Sequence, residues 1–118
     1  MTDILNIIAA LLTIGFGAFG FLAPKFTASA LDLAPTTSNM GLSEMRASVG
    51  GLFVVMAIAC LVMGSPMAYG MLGFAYAGAA LGRGLSIVLD KPPFPKAFIF
   101  FLIEAVLAVW LVAQAFAN

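Results

Sequence analysis

Histidine is absent from this 118-residue chain, and cysteine occurs once, at Cys60. Without imidazole the chain lacks the usual general base for a serine or cysteine nucleophile, and the commonest metal ligand. A lone cysteine forms no intrachain disulfide, and inside an apolar run it reads as a small packing residue. Charge is scarce too. Five basic and five acidic residues make up 8% of the chain, against about 25% in an ordinary soluble domain. These shortages exclude the familiar hydrolase and zinc-site constellations. No metal, cofactor or nucleic-acid partner is expected, and the chain reads as a non-enzyme.

What is present is hydrocarbon: 64% of the residues are hydrophobic and the mean hydropathy is +1.16. Runs over residues 4–23, 42–63, 67–89 and 97–117 each reach the roughly 20 residues that a helix needs to cross a bilayer. Together they leave no room for a soluble catalytic domain. A stretch such as LNIIAALLTIGFGAFGFLA does not alternate as a barrel strand does, and lipid demands internally satisfied backbone. The expected fold is therefore all-α, a single transmembrane four-helix bundle over residues 1–118. An ASA triplet at Ala28 to Ala30 imitates a cleavage site, but the amino end carries Asp3 and no basic residue. The first span is thus read as retained.

Lys25 follows the first span, and Lys91 and Lys96 flank the connection between the third and fourth. All three fall on one side, which the positive-inside rule makes cytoplasmic, with both termini periplasmic.

The motif GFGAFG at Gly15 to Gly20 matches a dinucleotide-binding pattern, but it lies inside a span rather than in a βαβ unit. It reads as close helix packing, as do Gly50-Gly51 in the second span and Gly78-x-x-x-Gly82 in the third.

Ionisable residues inside spans are expensive and mark functional-site candidates. Arg46, Arg83 and Glu104 are the clear cases, with Glu44 at the margin of the second span. The alternating directions of the spans place all of them in the cytoplasmic half. Arg83 and Glu104 lie about 10–12 Å below the same surface at 1.5 Å rise per residue. They are expected to face inward and meet Arg46. Tyr76, Arg83, Ser86 and Asp90 form a polar stripe on the third span at helical spacing. Two readings compete. In one, Glu44 and Glu104 neutralise the two arginines and the network only fixes helix register. In the other, Glu44 stays at the interface, leaving excess positive charge for a lipid phosphate or an organic carboxylate.

The one long connection, PKFTASALDLAPTTSNMG, suits a short interfacial helix between Pro24 and Pro35, with residues 25–35 either a lid over the cluster or an ordinary linker. The prolines of DKPPFPK stiffen the last connection. In the outer half Asn6, Tyr69, Trp110 and Gln114 stand out, with Tyr69 and Trp110 as interfacial anchors.

SEMRASVGG, GRGLSIVLDKPPF and FIFFLIEAVLAV resemble segments of a family of small bacterial four-helix membrane proteins known as domain of unknown function forty-three forty-five. The layout looks more distantly like the DoxX-like proteins. Glu44, Arg46, Gly50, Gly51, Gly82, Arg83, Asp90, Pro92 and Glu104 carry the likeness. It implies a four-helix bundle in the bacterial inner membrane and no established activity.

The leading expectation is a membrane protein binding a lipid or other anionic amphiphile at Arg46 and Arg83. The second is an accessory subunit of a larger membrane complex, or a homo-oligomer, docking through glycine-rich faces. The third is a proton- or ion-coupled transporter using Glu104, although neighbouring arginines disfavour proton uptake there.

Overall fold

The four apolar runs fold as membrane-length helices in a computed structural model that describes residues 2–34 and 36–117. Helix α1 spans Thr2–Leu22, and the short α2 follows over Pro24–Ala30. Helix α3 runs over Met40–Met63, α4 over Pro66–Leu89 and α5 over Phe94–Ala115. No strand occurs among the described residues, so the class is all-α. The spans match those expected from hydropathy to within a few residues, and local chemistry sets the differences. Ser65 caps α4 by accepting from the Ala68 amide at 3.1 Å, with Pro66 in the first turn where its missing N–H is no loss. Pro93 precedes α5, and the chain leaves α4 through Lys91 at φ 50°.

The chain divides into two units, the first running over Asp3–Val62 and the second from Met63 onward. In the first, the buried stripe of α1 is Asn6, Ala9, Ala10, Thr13, Gly17 and Gly20, whereas Ile4, Leu11 and Phe19 are exposed. This inverts the pattern of a soluble helix. Large side chains gain nothing by leaving lipid for protein, so contacts fall to small residues that let backbones approach. A Cβ on Gly17 would stand 2.9 Å from the Gly50 carbonyl oxygen, and one on Gly20 2.9 Å from that of Val49. A Cβ on Gly50 would meet the Phe21 amide nitrogen at 2.5 Å. The expected packing role of GFGAFG thus resides in Gly17 and Gly20, while nothing lies within 4 Å of a Cβ on Gly15.

Over Met45–Gly51 helix α3 adopts π-helical geometry. The wider turn ends at the two glycines that stand against α1, with Gly50 buried. Helix α2 closes in a Schellman turn: the Leu33 amide donates to the Ala28 carbonyl at 2.7 Å and the Asp32 amide to that of Ser29 at 3.1 Å. Asp32 occupies the left-handed position at φ 60°. The short helix expected after Pro24 is therefore present; Pro35, its expected far boundary, lies outside the described residues.

The second unit is an antiparallel pair. A Cβ on Gly70 would stand 2.6 Å from the Ala115 Cβ, one on Gly73 2.7 Å from the Leu111 Cβ, and one on Gly84 3.3 Å from the Phe101 ring. Gln114 Nε2 ties the Pro66 end of the pair by donating to the carbonyls of Pro66 at 2.9 Å and Leu111 at 2.8 Å. Gly78 and Gly82, expected to pack, meet nothing within 4 Å. The reason is helical phase: α4 buries Gly70, Gly73, Tyr76 and Ala80, a face to which Gly78 and Gly82 do not belong. Tyr69 is also buried, at 4% exposure, instead of standing as an interfacial anchor.

Candidate functional site

Arg83 and Glu104 meet across α4 and α5. Arg83 Nε and Nη2 donate to Glu104 Oε1 and Oε2 at 3.1 and 2.9 Å, a bidentate pair. The guanidinium also lies 5.3 Å from the centre of the Phe100 ring, within reach of a cation–π attraction. Six residues before the end of α4, Arg83 sits about 9 Å into the span. There each charge is the other's best solvent. Side-chain exposures of 34% for Arg83 and 15% for Glu104 make the pair half-buried. No charged residue is fully buried among the described residues, which corrects the expectation of an inward-facing charged core. The arginine fork engages both carboxylate oxygens, so each charge is met within the pair.

Arg46 takes a different role in the first unit. Its Nη1 donates to the Phe21 carbonyl at 2.7 Å. Phe21 lies in the last turn of α1, where carbonyls lack intrahelical partners and a cation complements the helix dipole. Arg46 thus caps α1, and its partner is a neutral backbone oxygen rather than a carboxylate. Of the stripe on α4, Tyr76 is buried and Ser86 donates to Asp90 Oδ2 at 2.8 Å near the helix end. Gly51 stands 3.4 Å from the Arg46 carbonyl oxygen by its would-be Cβ, an ordinary contact.

Glu44 falls on the other side of α3 from Arg46, because residues two apart on a helix do not share a face. It accepts from the Ser48 hydroxyl at 3.3 Å. Both line a cleft of about 310 Å³ between α2 with its following turn and the start of α3. Leu33, Leu42, Met45 and Val49 make its wall apolar. Its volume is at the small end of the ~300–1,000 Å³ of ligand pockets. Ser48 was not singled out from the sequence, although Glu44-x-x-x-Ser48 is an i,i+4 pair. The cleft itself carries no local signature, since its far wall comes from the long connection. Among the described residues no group of acids and cysteine could hold a metal.

A family model described as Domain of unknown function (DUF4345) matches residues 1–114. No curated protein and no solved structure matches the chain.

Proposed function

The chain belongs to that family of uncharacterised domains, and from this premise we propose that this multi-pass membrane protein binds an amphiphile in the cleft between α2 and the π segment of α3. The observation that carries the reading is the cleft: an apolar wall with Glu44 and Ser48 at its edge, beside the end of one span and the start of the next. An apolar tail would leave the bilayer edge for Leu33, Leu42 and Val49, and a polar head would stay near Glu44. The anionic head favoured by the sequence loses its basis at Arg83, whose charge Glu104 already meets. A transport cycle driven by Glu104 is disfavoured for the same reason, because both carboxylate oxygens are engaged. The protein acts as a binder or carrier rather than an enzyme. The positive-inside rule, applied to Lys25, Lys91 and Lys96, supports a bacterial inner-membrane topology with a cytoplasmic cleft and periplasmic termini.

Native mass spectrometry of gently solubilised protein tests the reading, comparing wild type with Leu42→Trp, which fills the cleft without touching the α1 contact. Wild type is expected to retain a single-chain amphiphile that Leu42→Trp loses. Identical adducts on both would contradict it. A second reading has its own observation: the open positions beside Gly78 and Gly82 on α4 suit docking on a second copy or a larger membrane complex.

A further inference from the structure

Resting on the amphiphile reading, we propose that the cleft selects a cationic head: its ligand is a single-chain alkylammonium amphiphile whose ammonium binds the Glu44 carboxylate. Glu44 is the charged side chain that lines the cleft, and no basic residue joins it there. Arg46 is bonded to the Phe21 carbonyl of α1 and does not line the cleft. The Schellman turn that leads into Leu33 carries an acid of its own, Asp32, and α2 carries Lys25, but neither side chain lines the cleft. The Ser48 hydroxyl donates to Glu44, holding the carboxylate at the cleft edge while leaving it acceptor capacity for an ammonium. An alkylamine is protonated at neutral pH, as the lysine side chain is. Ion pairing at the edge of a low-dielectric wall gives the cation an advantage that a hydroxyl head of equal chain length lacks. A volume of about 310 Å³ matches one short chain, which a free single-chain amine supplies.

The test titrates octylammonium, octanol and octyl phosphate into the full-length protein in phosphatidylcholine nanodiscs, with heats from empty discs subtracted. Octylammonium is expected to bind about tenfold tighter than octanol, the size of one charge-assisted hydrogen bond. Glu44→Gln should erase that difference while octanol binds as before. Ser48→Ala, which keeps the charge, should preserve it. Equal affinities for the three probes, or a preference for octyl phosphate, would overturn the cationic selectivity and leave the amphiphile site standing. Competition from phosphatidylethanolamine added to the discs would overturn the choice of a free amine over a lipid ammonium. Failure of every probe to bind, or binding undiminished in Leu42→Trp, would overturn the amphiphile reading itself.

Discussion

Replacing Glu104 with alanine is expected to destabilise the protein by about 2–3 kcal/mol, because it leaves the Arg83 guanidinium within a span without its carboxylate. Both members retain some exposure, 34% and 15% of their side chains, so the loss falls below the ~3–5 kcal/mol seen when a fully buried pair is broken. Glu104→Gln should cost less, since the amide oxygen still accepts one hydrogen bond from the fork. The double variant Arg83→Met with Glu104→Leu should recover most of the stability, because neither charge then needs a partner and apolar side chains suit the span. Reversible unfolding in mixed micelles, run on the single and double variants as a cycle, measures the coupling. A double variant as unstable as Glu104→Ala would show that Arg83 contributes more than relief of its partner's charge.

Gly50→Ala should be nearly as damaging. Its Cβ would stand 2.5 Å from the Phe21 nitrogen and 2.7 Å from the Phe21 Cα. Both are backbone atoms, so no rotamer change relieves the clash; α1 must move away from the π segment, at about 2–3 kcal/mol for overpacking. That movement also pulls Phe21 from Arg46, removing the cap on α1. Gly82→Ala is the control. Nothing lies within 4 Å of its Cβ, and alanine in a helix interior gains about 0.5–1 kcal/mol over glycine. The same unfolding measurement separates the two, and a loss of stability in Gly82→Ala would reveal a partner helix on that face.

Much of this was legible in the residues themselves. Four spans followed from run length alone, and the pairing of Arg83 with Glu104 followed from two opposite charges at matching depth on consecutive helices. The acceptor of Arg46 was not legible, because it is a backbone carbonyl. Every residue owns one, and only the end of α1 makes that of Phe21 available. Gly78 and Gly82 share a helix face by spacing, but spacing does not say which face turns to the neighbour. Tyr76 and Gly73 fix that phase only once α5 is in place. The π turn over Met45–Gly51 has no sequence signature. The cleft was hidden for a related reason: its walls come from a short helix, a turn and a span joined by a connection whose path hydropathy does not encode.

The most direct measurement separates the two polar sites in one titration, in which an octyl amphiphile is added to nanodisc-embedded Leu42→Trp and to the Arg83→Met, Glu104→Leu double variant. If the cleft beside Glu44 is the binding site and the ion pair serves only the helix pair, the double variant binds as wild type does and Leu42→Trp does not bind. The reverse outcome, with binding lost in the double variant and kept in Leu42→Trp, would move the site to Arg83 and Glu104 and contradict the assignment.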